Sequence, residues 1–526
     1  MKKIVGIIFL VFALSLLVAC QSDSRVEASI TNFEFETKTA SFKLIVLDPD
    51  KEITGDISIK LETKAGSTIS TRIAAALEET FNYVNLTPNT EYVIKVTATM
   101  EKSSQLLLTE EFKTKVEDNV ITTAEQFLAM GANRFGNFEL GNDIDFSGVL
   151  FADPVATTAT LTKLPFVNPL FPFAGSFDGK GFALKNINFT TTDTYTGVFG
   201  YVSTGKISNL VLDNVNIGTT ASPLAILKAA RVGLVAGYVS TDQSIIENIT
   251  IKNSTINISN TTTQYTYVGG IVGENNQGKI NDIQLENVYI NVKTTSFGRV
   301  KIGGAVGLMS DPATLKRVSS NAHINYELKG NDLIDKTFSI LVGGLVGDYN
   351  AKLTNNAIES AYSDGDISVN LDFGTRAGTG RYSYTVSVGG IAGRAYSNVL
   401  GAYYAGSILV EHEKNANEAN VIKTFNIGGL FGIYLATRSS SEIVRLGDGK
   451  TIHVNVSDDV DLRASQSFGR KDTGAALNIG VFGELHLMVN QVSVVDTDLA
   501  TIYNTLDATY FTSNFMKDAI TDYLLD

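Results

Sequence analysis

Hydrophobic and polar residues alternate with a period of two along most of this chain, and that pattern predicts β-strands. Near the N-terminus the alternating runs are "SFKLIVL" from Ser41, "DISIKL" from Asp56 and "EYVIKVTA" from Glu91. Turn-forming runs such as Asp-Pro-Asp and Thr-Pro-Asn separate them. Residues 29–116 are therefore predicted to form a small β-sandwich.

One motif in this region resembles a known family. The run "NLTPNTEYVIKVTA" from Asn85 is similar to the fibronectin type III pattern of a leucine, a proline turn, a tyrosine and alternating apolar residues. The resemblance implies that Tyr92 is a tyrosine-corner residue whose hydroxyl bonds to nearby backbone. The chain has no tryptophan, so the usual core tryptophan of the family is missing. An unrelated immunoglobulin-like sandwich is the alternative.

A glycine-rich unit, exemplified by "VGGIVG" and "IGGLFG", recurs eight times in the rest of the chain. Successive units lie between 34 residues (Gly273 to Gly307) and 51 residues (Gly432 to Gly483) apart. Alternating strand-like segments such as "GKINDIQLENVYINV" follow the glycines. A repeat of this length predicts a parallel β-solenoid. The last glycines of the units are Gly200, Gly237, Gly273, Gly307, Gly347, Gly393, Gly432 and Gly483.

Stacked coils about 4.8 Å apart place like residues on like residues. The glycines are expected where the chain bends sharply, adopts positive φ or approaches a neighbouring coil closely. Asparagine tolerates the left-handed conformation at corners, which predicts a corner column of Asn209, Asn248, Asp282 and Asn355. Arg317 and Gly401 interrupt the residue pattern of this column. Stacking also predicts that apolar columns make the core, formed by Ile271, Val306, Leu345, Ile391, Leu430 and their neighbours.

These units resemble GLUG-type repeats, named for Gly-Leu-any-Gly. Such repeats occur in bacterial surface proteins, including some immunoglobulin A proteases and haemagglutinin-like adhesins. The resemblance covers the chain from about Ile121 onwards and implies a right-handed β-helix. We therefore predict an all-β protein, a β-sandwich followed by a right-handed parallel β-helix. Its parts are an opening and cap segment (117–190) with a short helix after Thr123, the repeats (191–485) and a C-terminal cap (486–526).

The first residues resemble a bacterial lipoprotein signal. A basic "MKK" precedes the uncharged, largely apolar run Ile4 to Ala19, which is shorter than the roughly 20 residues of a spanning helix. Cys20, the only cysteine of the chain, follows Leu17, Val18 and Ala19 as in a lipobox. The resemblance implies a signal peptide (1–19), lipidation of Cys20, a linker (20–28) and a location at the cell surface on the outer side of the membrane. An ordinary signal peptide with a stray cysteine is the alternative.

The net charge limits which classes of binding partner are expected. The chain has 42 Lys+Arg against 55 Asp+Glu, a formal net charge of −13. Nucleic-acid binding needs a basic surface, so we expect no nucleic-acid partner. The expected partners are the membrane, through the lipid anchor, and an extracellular protein or glycan.

Motifs for catalysis are absent from the sequence. None of the four histidines, His323, His412, His453 and His486, belongs to a His-Glu-x-x-His motif, and there is no Gly-x-Ser-x-Gly elbow. Each histidine is interpreted as a surface or turn residue. Some carboxylates have the chemistry of calcium ligands, although turn formation explains them equally well. They are the pair Asp143 and Asp145, the pair Asp364 and Asp366, and Asp178. We therefore predict no catalytic residue, no metal site and no cofactor.

These patterns together predict a lipid-anchored β-helix protein at the cell surface that binds or adheres to an extracellular protein or glycan. The alternatives are a carbohydrate-active β-helix lyase or hydrolase and a structural component of the envelope. A cluster of carboxylate, basic and tyrosine side chains along one outer face would favour the enzyme.

Overall fold

A computed structural model describes the protein over much of its length, and it divides the chain into two compact units, Met1–Glu117 and Asp118–Asp526. The described residues are 26–87, 90–101, 103–115, 118–147, 172–189, 194–295, 298–330, 338–350, 358–374, 382–413, 421–436, 440–447, 449–457, 460–465, 467–471, 477–482, 486–489 and 492–494.

The first unit is a sandwich of two antiparallel sheets. The first sheet contains, in spatial order, Glu27–Phe35, Ala40–Leu47 and Glu78–Tyr83. The second contains Thr68–Ile73, Ile53–Thr63, Glu91–Met100 and Ser103–Lys113. Side chains from both sheets share one hydrophobic core, as the alternating patterns predict.

Tyr92 makes the contact that the sequence predicts for it. Its ring is buried against Phe112, with 5.4 Å between the ring centroids. Its hydroxyl accepts a hydrogen bond from the backbone N–H of Thr87 at 2.8 Å. The turn before the strand is thereby attached to the core.

The second unit is a parallel β-solenoid built from three sheets. The long sheet has 21 strands: Asp118–Ile121, Asn137–Leu140, Ile144–Asp145, Ser176–Asp178, Ala183–Lys185, Asn188–Phe189, Lys206–Asp213, Asn216–Ile217, Leu224–Ile226, Ile245–Asn260, Lys279–Thr294, Thr314–Lys329, Ile358–Ser363, Ile367–Asp372, Val399–Tyr404, Ile408–Glu413, Ser440–Leu446, Thr451–Asn455, Leu477–Phe482, His486–Val489 and Val492–Val494.

Two short sheets of eight strands each complete the coils. The first short sheet contains Tyr195–Thr196, Ala230–Gly233, Tyr265–Gly269, Arg299–Gly303, Phe338–Gly343, Tyr382–Gly389, Val421–Gly428 and Val460–Ser465. The second short sheet contains Tyr201–Val202, Ala236–Val239, Val272–Asn275, Val306–Ser310, Val346–Asn350, Ala392–Ala395, Phe431–Tyr434 and Phe468–Lys471.

Each coil passes through the three sheets in the same order. In one coil the chain runs through Tyr265–Gly269, bends at Gly270, continues through Val272–Asn275 and enters the long strand Lys279–Thr294. The corresponding strands of successive coils pair in parallel and in register. Each of these coils thus supplies one strand to each short sheet and one to three strands to the long sheet, and it buries its apolar residues only through its neighbours.

The predicted apolar columns form the core. Ile271, Val306, Leu345, Ile391 and Leu430 are all buried in it. The N–H of Ile271 donates to the carbonyl oxygen of Ala305 at 2.8 Å, and the N–H of Ala305 donates to that of Leu345 at 2.9 Å, so Ala305 continues the column of Ile271. Val306 pairs with Val272 in the neighbouring column.

The predicted asparagine corner is a column defined by backbone conformation rather than by residue type. Six residues occupy it, each with φ between 51° and 65°: Asn209, Asn248, Asp282, Arg317, Ser360 and Gly401. In the coil for which Asn355 was predicted, strand pairing puts Ser360 opposite Arg317 at this corner. Asn355 itself lies outside the described residues.

A short helix covers the first coils. Helix Ala124–Ala129 begins with Thr123 as N-cap in a capping box with Gln126, and a 3-10 turn, Met130–Ala132, follows. The buried ring of Phe127 contacts the rings of Phe146, Phe177 and Phe199, with centroids 5.6, 5.8 and 5.9 Å away. The helix therefore closes the apolar core at this end. At the other end, Val492–Val494 pairs antiparallel with His486–Val489.

Candidate functional site

The predicted site residues fall into two groups. Leu17, Val18, Ala19, Cys20 and Gly483 lie outside the described residues. The remaining repeat glycines belong to the second short sheet: Gly200 precedes its first strand, with φ of 47°. The others are the second residue of successive strands, namely Gly237, Gly273, Gly307, Gly347, Gly393 and Gly432.

Close approach between the two short sheets explains the glycines within these strands. A Cβ atom on Gly307 would lie 2.6 Å from the backbone nitrogen of Val268 and 2.6 Å from the carbonyl oxygen of Gly273. Gly347 has the same relation to Ile302 and to Gly307. Since both neighbours are backbone atoms in hydrogen-bonded sheets, a side chain has no room there.

Aromatic and charged side chains fill the corner between the two short sheets. The Arg231 guanidinium lies 4.7 Å from the ring centroid of Tyr265, 5.0 Å from that of Tyr238 and 5.2 Å from that of Tyr195, and it forms an ion pair with Glu274. Burial, assisted by the Glu274 carboxylate, raises the pKa of Tyr238 to about 12. The charge of Arg231 is therefore satisfied within the protein.

A fully buried carboxylate occupies the same corner two coils further along. The carboxylate of Asp348 accepts hydrogen bonds from Arg394 Nε at 2.8 Å and Nη2 at 2.7 Å, and Lys301 Nζ lies 2.6 Å away. Burial by itself would raise the pKa of Asp348, but these cationic partners hold that pKa below its usual value. This cluster is a structural ion network and offers no free charge to a ligand.

The outer face of the long sheet carries an open groove, hereafter the Tyr289 groove, with a volume of about 480 Å³. Two outward-facing columns supply its polar and aromatic residues. The first column is Tyr289, His323, Asp366, Ser407 and Thr451, and the second is Asn291, Asn325, Ser368, Leu409 and His453. The groove therefore crosses five coils.

The first column is ordered by contacts between coils. The rings of Tyr289 and His323 stack with 5.2 Å between centroids and 18° between planes. The Asp366 backbone N–H donates to His323 Nδ1 at 3.2 Å, so a neutral ring carries its proton on Nε2. The Asp366 carboxylate accepts from the N–H of Ser407 at 2.8 Å. These contacts fix one aromatic pair and one carboxylate on an open face.

The predicted calcium candidates use their oxygens within the protein. Asp143 accepts from the N–H of Ala183 and from Lys185, and these hydrogen bonds lower its pKa, the one from Lys185 most. Asp364 accepts from the Asn321 amide at 3.1 Å. Across the described ranges, no group of three or more His, Cys, Asp or Glu side chains is placed to hold a metal ion.

The prediction of surface or turn residues is wrong for His412, which is buried beside the ring of Phe373, 5.1 Å away between centroids. His323, His412 and His453 all lie within strands of the long sheet. His323 and His453 line the Tyr289 groove. His486 begins a strand. The polar character of an isolated histidine did not indicate which face of a strand it occupies.

Sequence reasoning missed the Tyr289 groove, although the repeat contains a signal for part of it. Tyr289 and His323 each follow a repeat glycine, Gly273 and Gly307, by 16 residues (289 − 273 and 323 − 307). Equal offsets predict stacking between adjacent coils. Asp366 follows Gly347 by 19 residues (366 − 347), so this rule does not find it.

Fold and groove together define an all-β protein in which a sandwich is followed by a parallel β-solenoid with an open polar and aromatic groove. No protein-family model matches the chain, and no curated protein matches it either. The resemblances to fibronectin type III domains and GLUG-type repeats therefore stay predictions.

Two solved structures show distant similarity. The sensor domain of the anti-sigma factor RsgI4 from Pseudobacteroides cellulosolvens is 22% identical, over 18% of this chain and 98% of that one, with a TM-score of 0.15. An IgA1 protease is 14% identical over 78% of this chain, with a TM-score of 0.29. The similarity spans 29% of that protease structure. At these values neither likeness carries an argument about function.

Proposed function

We propose that this protein is a lipid-anchored surface protein whose solenoid binds a glycan in the Tyr289 groove. The observation that carries the proposal is the stacked pair of Tyr289 and His323, which lies among amide and carboxylate side chains on an open face. Binding and adhesion, rather than catalysis, is the function that this arrangement supports best.

The groove offers the two kinds of contact that a sugar needs. Tyr289 is 42% exposed, and an aromatic pair gives the apolar face of a sugar ring a surface to pack on. Asn291 and Asn325 lie next to it, two residues along the same strands, and each amide both donates and accepts hydrogen bonds. A chain of sugars running along the solenoid axis would meet an aromatic ring and an amide in each of two adjacent coils, and Asp366 and Ser368 in the next.

Hydrolysis receives less support from the same residues. Glycoside hydrolases of the usual kind use two carboxyl groups flanking the scissile bond. The lining residues of the Tyr289 groove include one, Asp366, whose carboxylate already accepts the N–H of Ser407. The enzyme therefore remains the alternative, and product release is the observation that would favour it.

Replacement of either aromatic residue should weaken glycan binding. We expect Tyr289→Ala and His323→Ala each to lower affinity about tenfold, since a loss of about 1.4 kcal/mol corresponds to that factor. The measurement is a glycan array followed by titration calorimetry on the full chain. Phe135→Ala removes another exposed aromatic ring of the solenoid unit, 48% exposed, and should leave affinity unchanged. Equal affinities in all variants would contradict the groove, and cleaved glycan would favour the enzyme.

The proposal of a lipid anchor is based on the sequence around Cys20. In the part of the chain that the structure describes, no helix is long and apolar enough to cross a membrane. We expect Cys20→Ala to release the protein from the membrane fraction of the producing cells, because two acyl chains on one cysteine supply the firm attachment. Immunoblots of membrane and soluble fractions measure this. A variant that stays in the membrane fraction would contradict the anchor, and Ser24→Ala, a change in the linker, is the control.

A further inference from the structure

The first unit exposes a cluster of apolar side chains at one end of its sandwich. Leu47 is 58% exposed, Ile73 58% and Leu77 45%, and Ala75 and Ala76 between them are exposed as well. They lie at the same end of the sandwich, where strands Ala40–Leu47 and Thr68–Ile73 end and strand Glu78–Tyr83 begins. Single exposed leucines are ordinary on protein surfaces, whereas several large apolar side chains exposed at one end indicate an interaction site. Leu47, Ile73, Ala75, Ala76 and Leu77 are hereafter the apolar end.

Strand register puts the apolar end where the chain enters the sandwich. Leu47 is paired with Glu27, the first residue of the first strand. The N–H of Val46 donates to the carbonyl oxygen of Leu77 at 2.7 Å, which holds Leu77 beside Leu47. The connection to Ile73 is short, and the N–H of Ala75 within it donates to the Glu79 carboxylate at 2.6 Å. The apolar end is thus an ordered surface next to the start of the described chain.

The length of the preceding segment fixes what this surface can meet. Residues 20–25 separate Val26 from Cys20, six residues counting Cys20. Six residues span at most about 21 Å in any conformation. A lipid on Cys20 would therefore hold this end of the sandwich within about 21 Å of the headgroups, at high effective concentration.

We infer that the apolar end rests on the lipid surface, with Leu47, Ile73 and Leu77 inserted among the headgroups. The inference rests on the proposed lipid anchor. The anchor alone would leave the sandwich free to turn, whereas the apolar end adds a second contact and orients it. Apolar side chains gain free energy by leaving water for the acyl boundary. Carboxylates outnumber lysines at this end, since Glu27, Asp48, Asp50 and Glu78 face Lys51 and Lys43, the latter paired with Glu78. This balance favours a neutral lipid surface over an anionic one.

A single tryptophan can test this contact, because the chain contains none. Leu77 and Val84 flank the strand Glu78–Tyr83 at its opposite ends, and Val84 is 64% exposed. The variants are L77W and, as the matched control, V84W, each lipidated at full length and reconstituted into vesicles of dioleoylphosphatidylcholine. We expect a blue shift for L77W, with loss of emission on brominated phosphatidylcholine, and neither effect for V84W. L47W should behave like L77W and serves if the turn tolerates no tryptophan at position 77.

The experiment distinguishes a failure of the proposed lipid contact from a failure of the proposed anchor. Equal quenching of L77W and V84W, or a blue shift without quenching by brominated lipid, would overturn the contact while the anchor stands. Full-length protein that fails to sediment with vesicles would overturn the anchor and, with it, the contact.

Discussion

Gly307→Ala is expected to lower the free energy of unfolding of the solenoid by about 3 kcal/mol or more, although it adds a single methyl group. The added Cβ would lie 2.6 Å from the backbone nitrogen of Val268 and 2.6 Å from the carbonyl oxygen of Gly273. Neither atom belongs to a side chain that can rotate away. To admit the methyl group, the two short sheets must separate, and the hydrogen bonds between coils must shift with them.

The matched control is a glycine of the same unit in open space. A Cβ on Gly449 would meet nothing within 4 Å, but φ there is 61°. Gly449→Ala should therefore cost only the left-handed strain, about 1–2 kcal/mol. Thermal and denaturant unfolding followed by circular dichroism compares the two variants. Equal losses would mean that backbone conformation, not close approach, explains the repeat glycines.

Asp348→Ala is expected to destabilise the solenoid by about 3–5 kcal/mol, since it leaves Lys301 and Arg394 buried without their shared carboxylate. Asp348 has no exposed surface, and the side chains of Lys301 and Arg394 are 10% and 27% exposed. The exposed pair of Arg317 and Asp282 is the control, with 54% and 46% of the side chains exposed. Asp282→Asn removes an equally short ion pair, keeps a residue that tolerates the left-handed corner, and should cost at most about 1 kcal/mol. Similar losses in both variants would contradict the role of burial.

Acid should remove the stability that the ion network around Asp348 contributes. The partners of Asp348 hold its pKa below the usual value, so this group binds a proton more readily in the unfolded chain. Its contribution to stability is then complete above the unfolded pKa of about 3.9 and is lost as the pH falls through the lower folded pKa. Denaturant midpoints measured from pH 7 to pH 2 should fall more steeply below about pH 4 for the native protein than for Asp348→Asn. Parallel curves would contradict the lowered pKa.

The strands and the parallel stacking were predictable because they depend on local patterns. Period-two alternation located the sandwich strands, and the repeat predicted coils. Tyr92 was assigned correctly since its motif carries its hydrogen bond to the turn at Thr87. Predictions from residue type were incomplete where several residue types can adopt the same backbone conformation. The left-handed corner accepts Arg317 and Ser360 as well as asparagine, so residue identity does not mark every member of the column.

The Tyr289 groove shows why a site on a solenoid is harder to predict than the solenoid. Tyr289 and His323 stack because their coils have equal offsets from the glycines, but the next coil contains a longer connection before Asp366. Lengthening a connection between strands costs little free energy. Sequence distance therefore stops reporting spatial neighbours after the first insertion, and backbone pairing alone brings Asp366, Ser407 and Thr451 into line.

The sequence by itself determined the all-β class, the sandwich followed by the solenoid, and the positions of the repeat glycines, because alternation and repetition act between near neighbours along the chain. Only the tertiary structure decided that the glycines serve the contact between two sheets, that Asp348 is buried between two cations, and that the Tyr289 groove opens on the long sheet. Each of these depends on side chains from separate coils, whose register is set by backbone hydrogen bonds and not by distance along the sequence.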